Sequence, residues 1–400
     1  MAKFSWHISS LSKKSNARTG YITTPNGVIK TPAFIFCATK AALKSITTTD
    51  AKKIGTQIIL SNTYHLMLQP GSKLVADHGG LHKFMNWKGP LLTDSGGFQI
   101  FSLGHGSVSD EIKGRRNKSG RNKSLLKIDE EGALFKSYLD GKHYLLTPEK
   151  SIQIQRDLGA DLILVFDECT PFNVDKTYTE KSMQRSHRWA RRSLNSFNSK
   201  INYNPKYGSS GEQRLYGIVQ GGVYEDLREE SIEFNLNHID VFGIAIGGSL
   251  GSSKDEMYNV VNFTSNKLGV NHPIHLLGIG DPKDIWRLVK EGVDTFDCVS
   301  PTRLARHGGA LMRSESGKIN INNAQYKNEK NPIDSNCLCE TCQNFSLSYL
   351  HHLLKANELL GLQLLTIHNI FFMNELMNII REAIEKDRLE EAEKEWYYSK

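Results

Sequence analysis

Residues 273–298 read PIHLLGIGDPKDIWRLVKEGVDTFDC, and this stretch indicates the fold most directly. The runs PIHLLGIG and VDTFDCV have the composition of buried β-strands, and the segment DPKDIWRLVKEG between them has helical spacing. A strand, a crossover helix and a second strand form the repeating unit of parallel α/β folds. The second run contains Asp297, so a carboxylate stands near the point where the strand ends.

Similar apolar runs recur along the chain. TPAFIF, TQIILSN, PLLTD, DLILVFD, RLYGIVQ and VFGIAIGG precede the two runs above, and several are separated by helix-like stretches such as PEKSIQIQRDLG at 148–159. About eight candidate strands in alternating β/α order favour a closed (β/α)8 (TIM) barrel. A doubly wound open sheet is the alternative, but polar residues at the strand ends fit barrel closure better.

Three of these runs end in an aspartate. Asp94, Asp167 and Asp297 lie in PLLTDSGGFQ, DLILVFDECT and GVDTFDCVSP. In parallel α/β folds the strand ends and the loops after them converge on one face, where distant carboxylates can surround a single substrate. The pattern therefore predicts an enzyme, although each aspartate taken alone could equally be a helix cap or a salt-bridge partner.

Composition sets limits on the class of protein. A chain of 400 residues with 39% hydrophobic content can bury a large core. Its apolar runs are far shorter than the roughly 20 residues that cross a bilayer, and MAKFSWHISS lacks the features of a secretory signal. We therefore expect a soluble cytoplasmic protein.

The net charge of +7 fits a polyanionic partner but does not require one. A basic insertion near 105–128 is interpreted either as solvated surface or as a contact to phosphates.

The cysteine pattern predicts a metal site. Of the six cysteines, Cys337, Cys339 and Cys342 are clustered, and three close thiols cannot all pair with one another. With one imidazole they would form a closed tetrahedral site for structural zinc. Spacing alone does not decide which histidine supplies the imidazole, because His351 and His352 are nearer in sequence and His368 is more distant. We expect a catalytic barrel over 1–330, followed over 331–400 by a zinc subdomain and C-terminal helices packed on the barrel. The charged segment EKDRLEEAEKEW near the end is interpreted as a solvated terminal helix.

Seven motifs together make the chain resemble the tRNA-guanine transglycosylase (queuine tRNA-ribosyltransferase) family over nearly its whole length. They are TDSGGFQ (93–99), FDECTPF (166–172), GIVQGG (217–222), IGGS (246–249), GIGDPKD (278–284), FDCVSPTRLAR (296–306) and the cysteine and histidine set. The resemblance, which is to the bacterial type, implies a (β/α)8 barrel with one structural zinc ion per subunit, and His368 as its fourth ligand. It also implies a homodimer that exchanges guanine at the wobble position of an anticodon loop for a 7-deazaguanine base, preQ1 or queuine, in tRNAs with GUN anticodons.

The resemblance assigns roles to individual residues. Asp297 matches the nucleophile and Asp94 the proton acceptor, which suits a reaction that breaks and remakes an N-glycosidic bond with net retention. The substrate-binding positions are Asp94, Ser95, Gly96, Gly97, Phe98, Asp167, Gln220 and Gly247. The RNA-binding positions are Gly278, Ile279, Gly280, Asp281, Pro282, Lys283, Asp284, Thr302, Arg303, Leu304, Ala305 and Arg306. Because phosphate repels carboxylates, Asp281 and Asp284 are expected to cap the helix that begins at Pro282.

One departure from the family pattern concerns the incoming base. Many bacterial members read Gly-Gly-Leu-Ala-Val-Gly-Glu where this chain reads GGSLGSS at 247–253. The absence of valine at Gly251 is expected to create room, and the absence of an acid at Ser253 removes a partner for an aminomethyl cation. The hypothesis that follows is tolerance of, or preference for, queuine over preQ1, with neutral drift as the alternative.

Two other functions fit parts of the pattern. Paired carboxylates alone would suit a retaining barrel glycosidase, although the cysteine cluster and basic charge argue against it. A non-catalytic RNA-binding subunit is disfavoured because Asp94 and Asp297 are both present.

Overall fold

The computed structural model describes residues 4–100, 124–171, 174–199 and 212–398. The first element is a three-stranded antiparallel sheet of β1 (Ser5–Leu11), β2 (Arg18–Thr24) and β3 (Gly27–Thr31). The exposed and part-buried residues of β1 alternate, as expected when one strand face packs on the protein and the other meets solvent.

Eight parallel strands then close into a barrel, so the predicted (β/α)8 (TIM) fold is confirmed. They are β4 (Ala33–Cys37), β5 (Ile59–Ser61), β6 (Leu91–Thr93), β10 (Leu162–Leu164), β11 (Arg214–Val219), β12 (Gly243–Ile246), β13 (Ile274–Leu276) and β14 (Thr295–Cys298). Pairing of β14 with β4 completes the circle. Each predicted run contains one of these strands, and the residues of β4, β5 and β6 are all buried.

Helices follow the barrel strands, and all but the last of them lie between successive strands in chain order. They are α1 (Thr48–Lys53), α2 (Thr63–Leu68), α3 (Ser72–Asp77), α4 (Gly80–Phe84), α5 (Pro148–Leu158), α6 (Lys176–Ser199), α7 (Glu225–Asn237), α8 (Lys254–Leu268), α9 (Pro282–Lys290) and α10 (Ser300–Arg306). Local sequence explains the ends of α5. The Thr147 hydroxyl accepts a hydrogen bond from the Lys150 N–H, and Gly159 ends the helix in the left-handed conformation with φ 71°. The two helices predicted from sequence, α5 and α9, are confirmed.

Two small antiparallel units lie outside the barrel, one between β6 and β10 and the other after the last barrel strand. The strands β7 (Leu125–Ile128), β8 (Ala133–Lys136) and β9 (His143–Leu146) form one sheet, and β15 (Gly309–Leu311) pairs with β16 (Lys318–Asn320). Residues 105–123 of the predicted basic insertion lie outside the described residues, whereas 125–128 belong to β7.

The C-terminal part is helical and packs against the barrel. After a 3-10 helix (Ala324–Asn328) come α11 (Glu340–Asn344), α12 (Leu347–Lys355), α13 (Leu359–Glu385) and α14 (Leu389–Tyr398). The expectation of a solvated last helix is wrong for one face of α14, because Trp396 is buried and meets the Phe372 ring edge-on at 5.0 Å. None of the helices in the described ranges combines the length and apolar character that crossing a membrane requires.

Candidate active site

The three strand-end aspartates lie on one face of the barrel. Asp94 follows β6, Asp167 lies beyond β10, and Asp297 lies within β14. Their charges influence one another, because Asp297 raises the pKa of Asp94 and Asp94 raises that of Asp167, in both cases as a lesser cause than burial. The structure therefore brings the three carboxylates into a single site, as the strand-end pattern predicted.

Asp297 is nearly buried and is held by groups from neighbouring strands. Its Oδ1 accepts a hydrogen bond from the Gly278 N–H at 3.0 Å, and Nε2 of His275 lies 3.3 Å from the same oxygen. The His275 Nδ1 lies 2.9 Å from Oγ1 of Thr295, which fixes the ring. Oδ2 accepts from the Cys37 thiol at 3.6 Å, and the Cys37 pKa is raised by burial and by Asp297. These contacts leave the carboxylate one well-defined orientation.

Asp94 is anchored by the start of α2. Its Oδ1 accepts from the Thr63 N–H at 2.7 Å, and its Oδ2 accepts from the Asn62 side-chain amide. Burial raises the pKa of Asp94 to about 6, and the charge of Asp297 acts in the same direction, while the hydrogen bonds oppose both. A carboxyl that titrates near pH 6 can exchange protons under ordinary conditions.

Asp167 forms a buried polar group with two other predicted site residues. Its Oδ1 accepts from the Ser95 hydroxyl and its Oδ2 from the Gln220 amide, each at 2.8 Å. Burial is the largest cause that raises the Asp167 pKa to about 6. A Cβ added at Gly97 would lie 2.5 Å from the Asp167 Oδ1, so the loop after β6 needs glycine there. Phe98, next in this loop, is 47% exposed.

The loop after β12 lies beside Gln220. A Cβ at Gly247 would lie 3.1 Å from the Gln220 Nε2, and one at Gly248 would lie 2.6 Å from its Oε1. Gly248 also has a positive φ of 76°, so two requirements select glycine. The two glycines of this loop therefore lie against the Gln220 side chain, which in turn contacts Asp167.

The expected enlargement at Gly251 is not found. A Cβ at this position would lie 2.6 Å from the Cγ of Glu256, whose carboxylate accepts hydrogen bonds from the N–H and hydroxyl of Ser252. Gly251 also has a φ of 116°, which favours glycine regardless of the ligand. Ser253 caps α8, because its hydroxyl accepts from the Glu256 N–H at 3.1 Å. Local folding thus explains both departures from the family pattern, and the inference of extra room is wrong.

The predicted RNA-binding positions divide by exposure. Asp281 caps α9 as expected, through a 3.0 Å hydrogen bond from the Lys283 N–H. Asp284 is not a cap, because it is buried and accepts from Lys254 at 2.7 Å and from the Tyr258 hydroxyl at 2.6 Å. The remaining buried positions are Gly280, Pro282, Thr302 and Ala305; Ile279 and Leu304 are half-buried, and Gly278, Asp281, Lys283, Arg303 and Arg306 are exposed.

The predicted metal ligands come together in the C-terminal part. The ligand atoms of Cys337, Cys339, Cys342 and His368 all lie within 4.8 Å of one another, and all four residues are buried. The three sulfur atoms lie 3.4–3.8 Å from the His368 Nδ1. These separations suit a tetrahedral ion with bond lengths of about 2.0–2.3 Å. The other ring nitrogen faces the Leu311 carbonyl at 2.8 Å, which directs Nδ1 toward the thiols.

This geometry decides between the three candidate histidines. His351 directs its Nδ1 to the Ile321 carbonyl at 2.7 Å, and His352 is exposed, so His368 completes the set. Four protein ligands leave no open position for water, which indicates a structural site.

Several residues at the barrel mouth were not predicted. Asn62 directly follows β5 and so carried the same strand-end signal as the aspartates, whereas His275 lies inside β13 and is marked only as a polar residue within an apolar run. Arg228 carried none, because YEDLREES reads as a solvated charged helix, yet Arg228 is 1% exposed. Chemically, the site combines a fixed carboxylate, a second carboxylate with a pKa of about 6 and a buried polar pocket.

Comparison with known proteins gives consistent results. A family model described as queuine tRNA-ribosyltransferase matches residues 12–400. Proteins named queuine tRNA-ribosyltransferase include one from Roseiflexus sp. (strain RS-1), 47% identical over 385 residues, with 96% of each chain covered. The protein of that name from Protochlamydia amoebophila (strain UWE25) is 46% identical over 387 residues, with 97% of each chain covered. The one from Staphylococcus aureus (strain JH9) is 43% identical over 386 residues, covering 96% of this chain and 93% of its own.

Proposed function

The chain belongs to the queuine tRNA-ribosyltransferase family, and we propose that Asp297 is the nucleophile of its transglycosylation reaction. The protein is a pentosyltransferase that carries out tRNA guanine transglycosylation in queuosine modification. The observation that carries the assignment is the position of Asp297, a carboxylate fixed at the end of β14 close enough to Asp94 to alter its pKa.

The reaction we propose has two displacements. The Asp297 carboxylate attacks the anomeric carbon of the ribose, and the electron pair of the broken glycosidic bond leaves with guanine N9, which takes a proton from solvent. Asp94 then removes a proton from the incoming 7-deazaguanine base, which attacks the same carbon and releases Asp297. Two inversions give net retention, and the RNA strand stays covalently attached to the enzyme between the steps. A pKa of about 6 suits Asp94 to the role of proton acceptor.

For base recognition we propose Asp167, Gln220 and Gly247, together with the loop from Asp94 to Phe98. A guanine-like edge presents N–H donors and one carbonyl, which a carboxylate, an amide and backbone groups can match. The buried hydrogen bonds between Asp167, Ser95 and Gln220 support this assignment. Ser95 takes part through Asp167, and the half-exposed ring of Phe98 is available for stacking on the base.

For tRNA binding we propose the 278–284 and 302–306 segments, with direct contacts from their exposed members. Lys283, Arg303 and Arg306 supply the cations that phosphates require. The wobble base of a single-stranded anticodon loop can leave its stack at modest cost. We propose the wobble guanine of GUN anticodons as the target and preQ1 or queuine as the incoming base.

Zinc is the metal we propose for the cluster of Cys337, Cys339, Cys342 and His368. Three thiolates and one imidazole in tetrahedral arrangement are a usual structural zinc set, and the ion would stabilise the fold without entering the reaction.

We also propose a division into a catalytic barrel (1–330) and a zinc subdomain with helices (331–400), and a cytoplasmic homodimer. Exposed apolar side chains near the cysteine cluster support self-association, since Leu338 and Leu359 are 72% and 78% exposed. Light scattering on the purified protein should give twice the chain mass, and a monomeric mass at micromolar concentration would contradict this part.

The covalent intermediate provides the test. Wild-type enzyme mixed with an anticodon stem-loop RNA and denatured should show a protein–RNA adduct by mass spectrometry, and it should incorporate labelled guanine. Asp297→Ala and the isosteric Asp297→Asn should show neither, whereas Asp94→Asn should lose base exchange through loss of the proton acceptor. An adduct that survives in Asp297→Ala would refute the nucleophile assignment. A glycosidase would incorporate no label in any sample.

A further inference from the structure

Arg228 on α7 is a buried cation without an acidic partner among the described residues. It is 1% exposed, and burial lowers the pKa of its guanidinium to about 10, which still leaves it charged at neutral pH. A buried, unpaired charge is costly, so packing alone does not account for an arginine at this position. Its hydrogen bonds go instead to main-chain carbonyl groups.

Those carbonyl groups belong to the two loops that carry Gln220 and Gly247. Nε donates to the Gly222 carbonyl at 2.7 Å and Nη1 to the Val219 carbonyl at 3.2 Å, both in the segment around Gln220. Nη2 donates to the Gly247 carbonyl at 2.9 Å and to the Ser249 carbonyl at 3.3 Å. One planar guanidinium therefore connects the end of β11 to the end of β12.

These hydrogen bonds fix the directions of neighbouring groups as well. The C=O and N–H of a trans peptide point to opposite sides, so holding the Gly247 carbonyl also sets the direction of the Gly248 N–H. On the other loop, a Cβ at Gly221 would lie 2.8 Å from the Arg228 backbone nitrogen, so glycine is needed for this close approach. The Gln220 N–H donates to the Ser231 hydroxyl at 3.0 Å, one helical turn after Arg228.

We infer that Arg228 is a positioning residue for base recognition, which holds the Gln220 and Gly247 loops at the spacing that a guanine-like base requires. This inference rests on the proposed assignment of Gln220 and Gly247 to the base pocket. Arg228 acts through main-chain groups and not by contact with the base. Lysine keeps the charge but has a single nitrogen, so it cannot reproduce the fork that spans both loops.

Steady-state exchange with the full-length, zinc-loaded protein tests the inference. Labelled guanine incorporation into tRNA would be measured at varied guanine and at varied tRNA for Arg228→Lys and Arg228→Met. Since lost hydrogen bonds from a charged donor are strong, we expect the KM for guanine to rise by about tenfold or more. The KM for tRNA should stay within about twofold, because phosphate contacts supply much of that affinity.

Asn235→Ala is the matched control on the same buried face of α7. Its amide donates to the Ile218 and Ser231 carbonyls and to neither the Gly222 nor the Gly247 carbonyl. This variant should lose thermal stability without a rise in the KM for guanine. Millimolar guanidinium, but not methylammonium, should partly restore the guanine KM of Arg228→Ala.

Each outcome bears on the inference. A wild-type KM for guanine in Arg228→Lys and Arg228→Met, or an equal rise in Asn235→Ala, would overturn the positioning role while leaving the proposed function intact. Failure of the wild-type enzyme to incorporate guanine would instead reject the proposed function, and the role of Arg228 in base recognition with it.

Discussion

At the level of single residues, the two carboxyl groups with raised pKa values predict how activity depends on pH. Burial is the main cause that raises the pKa of both Asp94 and Asp167 to about 6. Because Asp94 must be ionised to accept a proton, we expect kcat for base exchange to fall as the pH drops through about 6. The two groups interact, so the midpoint belongs to the pair. Rates measured between pH 4.5 and 8 test this, with tRNA binding over the same range as the control. An unchanged kcat at pH 5 would contradict the role of Asp94.

The same pKa shifts predict an opposite trend for stability. A carboxyl whose pKa is raised by folding stabilises the protein fully below its unfolded value near 3.9, and this contribution is lost as the pH rises through about 6. Asp94→Asn removes the buried charge, so its unfolding free energy relative to wild type should rise between about pH 4 and 7. The difference between a pKa of about 6 in the folded protein and about 3.9 in the unfolded chain sets an upper limit of roughly 3 kcal/mol on this effect. Denaturant titrations at pH 4 and pH 7 measure the difference in unfolding free energy between Asp94→Asn and the wild type. If this difference does not change with pH, the burial of this charge is contradicted.

His275 gives a third prediction at this scale. Its Nε2 lies 3.3 Å from the Asp297 Oδ1, and Thr295 fixes the other side of its ring. His275→Phe replaces the polar ring beside Asp297 with an apolar one, so the carboxylate loses a polar neighbour and kcat should fall by about tenfold to a hundredfold. The KM for tRNA should not change, because His275 is buried. Single-turnover adduct formation measures the effect directly. A normal rate of adduct formation would show that the Gly278 N–H and the Cys37 thiol position the carboxylate without His275.

At the level of secondary structure, the sequence predicts the individual strands and helices but not the contacts between segments that are distant in the chain. The eight barrel strands and the helices α5 and α9 could be predicted, because periodicity, caps and flanking glycines act within a few residues. The contacts of Arg228 could not be predicted, since the carbonyl groups it binds come from two loops that meet only in the closed barrel. The same limitation applies to Gly251, where the space that seemed free is filled by Glu256 from the next helix.

The N-cap of α9 allows a prediction about one element. The Asp281 carboxylate accepts from the Lys283 N–H, and α9 follows the loop whose Gly278 N–H holds Asp297. Asp281→Ala should lower the unfolding free energy by about 1 kcal/mol. Asp281→Asn should keep an unfolding free energy close to that of the wild type, because asparagine is also a good N-cap residue. Denaturant unfolding of both variants tests this. Equal losses in the two would indicate that charge, and not the cap, is what matters at this position.

At the level of the whole molecule, the helix α13 connects the cysteine cluster to the barrel. His368 lies on α13, and this helix packs against β4 and α10. The next residue, Asn369, donates to the Pro301 and Gly309 carbonyls and accepts from the Leu311 N–H. The metal site is therefore linked through α13 to the helix that carries Arg303 and Arg306.

Removal of the metal should consequently affect tRNA binding more than the barrel pocket. Cys342→Ala leaves three ligands, so we expect less than one zinc ion per chain by elemental analysis and a lower thermal midpoint. Because α10 loses its support, the KM for tRNA should rise by about tenfold, whereas the KM for guanine should change by less than about threefold. His352→Ala is a suitable control, since His352 is exposed and lies outside the cluster. An equal rise in both KM values would mean that the metal site supports the whole barrel, and an unchanged KM for tRNA would separate the metal site from RNA binding.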